Sequence, residues 1–262
     1  AIGRSALESN TTASYNTAVG FQAGYTGTTA ASTTAVGSQA LKTSTGDANS
    51  AFGVEVMKYT TTGTRNSAFG GRDYAGGSTG YAALNLNTTG SYNSAFGQGA
   101  LANNTTAPNN VAVGYQAGYA ITTADRSTIV GTKAADNLTT GGGNVVVGYH
   151  AMGNATTADL STVVGYQAGE GITTGARNTM VGVNAGAATT TGTGNTFIGG
   201  ASTGAGNGAG KAVTTGSKNT ILGTYDGNQG GLDLRTSSNN IVLSDGDGNP
   251  RQYTQSNGRT MW

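Results

Sequence analysis

The chain has 262 residues, of which 46 are Gly and 2 are Pro, a net charge of +1 and no Cys. That balance excludes disulfide staples, thiolate metal sites and cysteine nucleophiles, offers no basic excess to draw nucleic acid, and contains no apolar run long enough for membrane insertion. Apolar residues at 35% fall short of the ~45–50% of an ordinary globular domain, yet so little charge leaves no self-repulsion to keep the chain disordered, so repetition must explain the low complexity.

The repeat is visible from the first residues. Ala1-Ile2-Gly3-Arg4-Ser5-Ala6-Leu7 reads as the back half of a unit, which predicts a piece of something longer, and no signal peptide is visible. Gly3, Gly20, Gly37, Gly53 and Gly70 follow at nearly constant steps, and Gly97, Gly114, Gly131, Gly148, Gly165, Gly182 and Gly199 at a constant 17 residues. Most of these marker glycines close a segment of the form Asn/Ser/Thr, small or β-branched, apolar, larger apolar, Gly, as in Asn16-Thr17-Ala18-Val19-Gly20 and Asn195-Thr196-Phe197-Ile198-Gly199. A small residue follows three places later, and then Thr-Thr-Gly or Thr-Thr-Ala, as at Thr122-Thr123-Ala124 and Thr173-Thr174-Gly175.

Thr and Val suit a pleated surface, and Gly and Asn suit positive-φ corners, so the unit reads as short β-segments separated by turns. One such unit cannot bury its own apolar face. The fold class expected is therefore all-β, a parallel β-solenoid or β-roll of about 17-residue repeats, roughly fourteen coils each advancing about 4.8 Å.

Two breaks interrupt the period. Gly80 lies one repeat before Gly97 and Gly80-Tyr81-Ala82-Ala83-Leu84 resembles Gly37-Ser38-Gln39-Ala40-Leu41, which places the extra residues between Gly70 and Gly80. A second insertion separates Gly199 from Gly223 and contains the linker-like run Gly204-Ala205-Gly206-Asn207-Gly208-Ala209-Gly210. The expected organisation is regular repeats over 1–203, an irregular insertion and last coil over 204–230, and a capping segment over 231–262. In that last segment the spacing no longer superimposes apolar positions, which predicts hairpin-like strands that do not continue the ladder, with Ile241, Val242 and Leu243 packed on the last coil or a neighbouring chain and a processing point near Trp262.

Adjacent positions of the unit differ. The residue before the marker glycine is always sizeable and apolar (Val19, Phe52, Phe96, Val147, Ile198), which predicts that it faces into the coil. The residue before that changes from Ala18, Ala35, Ala51, Ala68, Ala95 and Ala112 to Ile129, Val146, Val163, Met180, Phe197 and Ile221. Alternation puts it on the other face, which is expected to meet another chain and so to build a homotrimer.

The unit Asn-Thr-Ala-Val-Gly-Tyr-Gln-Ala-Gly followed by Thr-Thr-Gly resembles the repeats of bacteriophage tail fibres and, more loosely, the head repeats of trimeric autotransporter adhesins. The resemblance covers nearly all of residues 1–223. Asn239-Asn240-Ile241-Val242-Leu243-Ser244-Asp245-Gly246-Asp247-Gly248-Asn249 is similar to the segment that precedes the self-cleaving intramolecular chaperone of endosialidase-type tail fibres. It implies a homotrimeric fibre in the virion, released from its chaperone after assembly, with other fibre or tail proteins and a host surface glycan as partners. The other settings are a bacterial cell surface, as an adhesin head, and a carbohydrate-depolymerising tailspike.

Chemistry is sparse. His150 is the only histidine and takes the place of Gln22, Gln39, Gln116 and Gln167 in other copies, which reads as a solvated or ladder-capping residue because no Ser and carboxylate partners are spaced for a triad. Asp226, Asp233, Asp245 and Asp247 form an acidic cluster, and Asp245-Gly246-Asp247-Gly248-Asn249 has oxygen ligands at alternate positions, as a calcium loop has; the missing glutamate favours a Gly/Asp/Asn turn. Phe21, Tyr115, Tyr149 and Tyr166 follow marker glycines and read as packing or as a sugar-stacking stripe, with packing preferred. The Thr-Thr pairs are not in a regular Thr-x-Thr array, which argues against a flat ice-binding ladder. No catalytic, cofactor-binding or metal-ligating residue is assigned, and the expectation is a non-enzymatic, receptor-directed fibre segment.

Overall fold

A computed structural model describes residues 1–73, 81–200 and 208–261. The chain is all-β with no helix among the described residues, a parallel β-solenoid of about 13 turns with a spacing of about 17 residues. It divides into two compact units, Ala1–Thr132 and Lys133–Trp262.

In the first unit, β1 (Thr17–Val19), β2 (Thr34–Val36), β3 (Ser50–Phe52), β4 (Ser67–Phe69), β5 (Ser94–Phe96), β6 (Val111–Val113) and β7 (Thr128–Val130) pair in parallel in chain order. Like superimposes on like: Ala18 lies opposite Ala35, and Phe69 opposite Phe96. In the second unit β8 (Val145–Val147), β9 (Thr162–Val164), β10 (Thr179–Val181), β11 (Thr196–Ile198) and β12 (Thr220–Leu222) do the same.

Each three-residue strand ends in a left-handed corner. In the coil marked by Gly37, Ser32, Gln39 and Leu41 all have φ between 49° and 58°. Such φ values cost a non-glycine residue about 1–2 kcal/mol each. The ladder offsets that cost, because the same residues donate their amides to neighbouring coils: Ser32 to Ser14 O at 3.0 Å, Gln39 to Phe21 O at 2.8 Å and Leu41 to Val56 O at 3.1 Å. The marker position must be glycine for a second reason. A Cβ on Gly20, at φ +132°, would lie 2.6 Å from the carbonyl oxygen of Gly37 one coil on.

The face assignment expected from the sequence is overturned. Ala18 is 1% exposed and Val19 36%; Val146 is buried in the core and Val147 is not. The residue two before the marker glycine points into the coil, and its larger neighbour points out. The physical reason is the thinness of the coil, whose interior is shared between that strand residue and the fourth residue after the marker glycine. In several coils where the latter is Leu or Met the former is Ala, as in Ala35 with Leu41, Ala51 with Met57 and Ala95 with Leu101, all buried, while Val146 and Met152 are buried together in theirs. Beside Gly169, Gly186 and Gly210 the strand residues are the larger Val163, Met180 and Phe197, and a Cβ on Gly169 would meet Val163 Cγ1 and Met180 Sδ, both at 3.2 Å. Beside Gly24 and Gly118 the strand residues stay Ala18 and Ala112, and Leu7, and Leu101, Ile121 and Ile129, fill the space instead. The small-to-large gradient is thus in part volume compensation, within a coil and between neighbouring coils, where packing at crystal-like density leaves no spare room.

Asparagine, too, works inside. Asn49, Asn66, Asn93 and Asn110 are fully buried at the start of successive segments. Each Oδ1 accepts the backbone amide of the equivalent residue one coil on, as Asn93 N to Asn66 Oδ1 at 2.9 Å, and each Nδ2 donates to a carbonyl, as Asn93 Nδ2 to Ala107 O at 2.9 Å. Asn178, Asn195 and Asn219 repeat the arrangement in the second unit, and Asn240 ends the column, its amide donating to Asn219 Oδ1 and its Oδ1 accepting the Tyr253 hydroxyl. The first Thr of the Thr-Thr pairs forms a further column, as Thr156 Oγ1 to Thr173 O at 3.2 Å and Thr173 Oγ1 to Thr190 O at 3.2 Å.

At the first insertion, Gly70 itself takes the marker position: its backbone oxygen accepts Ala83 N at 2.9 Å, so the extra residues fall after it. Residues 74–80, Gly80 among them, lie outside the described residues. The root of the insertion is tied by Glu55, which is 5% exposed and pairs with Lys58 at 2.8 Å and Arg72 at 2.9 Å. Residues 201–207, most of the linker-like run, likewise lie outside the described residues, as does Trp262.

The C-terminal segment corrects a second expectation. It does continue the ladder, for one more strand: β15 (Ile241–Ser244) pairs in parallel with β12, and Ile221 lies opposite Val242. The surplus residues of this longer interval are taken up by a small hairpin, β13 (Asn228–Gln229) and β14 (Leu232–Asp233), so that Asn240 returns to the asparagine column. Antiparallel strands then follow, β16 (Pro250–Thr254) on β15 and β17 (Thr260–Met261) on β16. Tyr225 fills the last coil, fully buried, with its hydroxyl donating to Leu232 O at 2.7 Å; burial pushes its pKa well above the ordinary phenol value.

Candidate functional site

The strands leave two outward positions per coil, and neither carries a charged residue in any strand from β1 to β12. The position before the marker glycine forms an exposed apolar column in each unit. In the first it includes Val19, Phe69, Phe96 and Val113; in the second, Val181, Ile198 and Leu222, each between 36% and 42% exposed. Charge sits elsewhere, notably at the left-handed corners of Arg65, Arg126, Arg177 and Lys218. Exposed apolar area continuous along a sheet and free of charge has the composition of an interface core.

Aromatic rings stack from coil to coil, the phenylalanines on this face and the tyrosines just past the marker glycines. Phe52 stacks on Phe69 with centroids 4.4 Å apart and Phe69 on Phe96 at 5.0 Å, while Tyr149 and Tyr166 stack at 5.4 Å. Stacking covers the ring faces within each column and turns edges outward. A sugar ring docks on an uncovered face, so these columns suit packing against another apolar surface better than sugar stacking.

The candidates singled out in the sequence are dispersed. His150 packs over Gly153, with Nδ1 at 3.8 Å from Glu170 Oε1 and its ring tilted against Tyr149. Nδ1 and the neighbouring Asp136 Oδ1 are buried without a hydrogen-bond partner, and among the described residues no hydroxyl bonds the imidazole. Burial raises the Asp136 carboxyl, with the His150 charge opposing.

Asp226 and Asp233 serve local turns, accepting the amides of Asn228 at 2.8 Å and Arg235 at 3.0 Å. Asp245 accepts from the amides of Asp247 at 3.0 Å and Asn249 at 2.9 Å, and from Arg251 Nε at 2.9 Å. Desolvation works to raise this carboxyl, but hydrogen bonds from Asn249, Arg251 and Asp247 outweigh it and hold its pKa at about 2. The carboxylate is thus occupied by its own turn. Among the described residues no group of three His, Asp or Glu side chains is placed to hold a metal ion.

Sequence reasoning missed a cleft of about 470 Å³ at the C-terminal end, between the Gly230-Gly231 turn of the β13–β14 hairpin and the strands β16 and β17. Its residues belong to no repeat, so periodicity gave no signal; the Gly-Gly turn between two short polar runs was the one local cue.

Comparison of the chain with protein-family models, with curated proteins and with solved structures found no match.

Proposed function

We propose that the chain is a structural, receptor-directed segment of a phage tail fibre, assembled as a parallel homotrimer through the outward sheet face. One observation carries the reading: every strand from β1 to β12 presents an apolar residue before its marker glycine, and no charge accompanies it. A globular partner needs a patch, whereas a surface repeated coil by coil is matched along its length by a second copy of the same repeat. Burying this face supplies apolar area that so thin a coil lacks. The resemblance of the repeats to tail-fibre repeats, and of residues 239–249 to the segment preceding a fibre chaperone, supports a virion as the setting of the assembly.

Mass measurement in solution tests the assembly. Three chains are expected, and a stable monomer overturns the reading. Incubation with purified capsule or lipopolysaccharide is expected to leave the polysaccharide intact; depolymerisation would replace the fibre with a tailspike.

A further inference from the structure

The cleft at the C-terminal end has an unusual lining for so polar a segment. Leu232 and Met261 give it apolar walls, and Gly231 leaves its backbone open, with no atom within 4 Å of where a Cβ would stand. Among the described residues the side-chain amides of Gln252 and Gln255, which also line it, have no hydrogen-bond partner. Arg251 is the one charged lining residue among the described residues, and its guanidinium is held by the Asp245 carboxylate. The volume of about 470 Å³ lies within the usual range of small-ligand sites.

These features select a ligand class. An anion would have to compete with Asp245 for Arg251. A purely apolar ligand would leave the two amides unanswered. Hydroxyl groups, which donate and accept at once, match amides that do the same, and the C–H face of a pyranose matches Leu232 and Met261. We propose that this cleft binds a neutral saccharide through Gln252 and Gln255. The proposal names a ligand class for the receptor-directed reading and rests on it, yet it is tested separately from assembly.

The test is saturation-transfer NMR on the full chain with the methyl glycosides of glucose, galactose, mannose, N-acetylglucosamine and N-acetylgalactosamine. N-acetylneuraminic acid and a pool of unstructured peptides serve as comparators. Transfer is expected from at least one neutral glycoside, with affinity reduced on the order of tenfold or more in Gln252→Ala/Gln255→Ala at unchanged melting temperature. Should that variant melt early, Met261→Ala at an exposed position takes its place, with a several-fold loss expected. No transfer from any neutral glycoside, transfer that survives the variants, or preference for the acidic sugar or the peptides overturns the proposal. Light scattering on the same samples keeps the two readings apart: a monomer that still binds a glycoside sinks the trimer alone, and a trimer that binds none sinks the cleft alone.

Discussion

Gly210 and Phe197 share one coil, and a Cβ placed on Gly210 would sit 2.5 Å from Phe197 Cδ2. The glycine is the space into which the phenyl ring packs, and its φ of +62° adds a backbone requirement. Gly210→Ala is therefore expected to cost about 2–4 kcal/mol, overpacking and left-handed strain together. Gly194→Ala isolates the backbone part, because φ is +66° there but a Cβ meets only Lys218 Cγ at 3.7 Å; it is expected to cost about 1–2 kcal/mol. The double change Phe197→Ala/Gly210→Leu reproduces the Ala95 and Leu101 arrangement and should be less destabilised than the sum of its singles. Denaturant melts of the five variants, the two singles Phe197→Ala and Gly210→Leu included, decide it, and strict additivity would refute volume compensation.

Val146 and Val147 separate folding from assembly. An aspartate at the buried Val146 leaves an unpaired charge in the core, and a loss of about 3–5 kcal/mol or more is expected. Val147→Asp points out of the coil, so the isolated chain should change within about 0.5 kcal/mol while the proposed trimer should dissociate. Circular dichroism melts and light scattering read the two effects independently. If Val147→Asp stays trimeric, the outward face is not the interface.

The asparagine column predicts a graded series. Asn178 Nδ2 donates to Gly192 O and Asn178 Oδ1 accepts Asn195 N, both at 2.9 Å. Alanine strands both buried backbone groups, at about 1–3 kcal/mol each. Serine keeps the acceptor, as Ser161 Oγ does for Asn178 N at 3.1 Å. The melting temperature should therefore fall in the order Asn178, Asn178→Ser, Asn178→Ala, and equal melting of the two variants would remove the clamp.

Much of this was legible in the sequence, and the failures have physical causes. The 17-residue period located the strands because stacking forces equal positions into register, and the insertion after Gly70 was visible as a broken interval. Inside and outside were exchanged because a three-residue strand satisfies alternation with either parity, and size alone pointed to Val19 and Val147. In so narrow a coil the core residue is often the small one, its volume supplied from elsewhere in the turn, as by Leu41 beside Ala35. The asparagines were read as corners because their main-chain clamp needs the neighbouring coil to be seen. Left-handed Gln39 and Leu41 carry no sequence signal, since ladder hydrogen bonds impose the conformation. The cleft was invisible because it is assembled from non-repeating residues, Leu232 and Gln255 among them.

Asp136 and Asp245 should respond to pH with opposite signs. The Asp245 carboxyl, held at about 2, lies below its unfolded value of roughly 3.9. The folded turn thus favours the ionised form, and its contribution is complete above about pH 4 and lost as pH falls toward 2. Amide exchange at Asp247 and Asn249, which both donate to Asp245 Oδ1, should accelerate across that window, and Asp245→Asn should abolish the step. Asp136 is raised, chiefly by burial. Its folded state binds the proton more tightly than the unfolded chain, so stability is lost as pH climbs from the ordinary carboxyl value through the raised one. Asp136→Asn removes the buried charge and is expected to raise the melting temperature at neutral pH, with the advantage closing below about pH 4. An advantage independent of pH would show that Asp136 acts through packing and not through its charge.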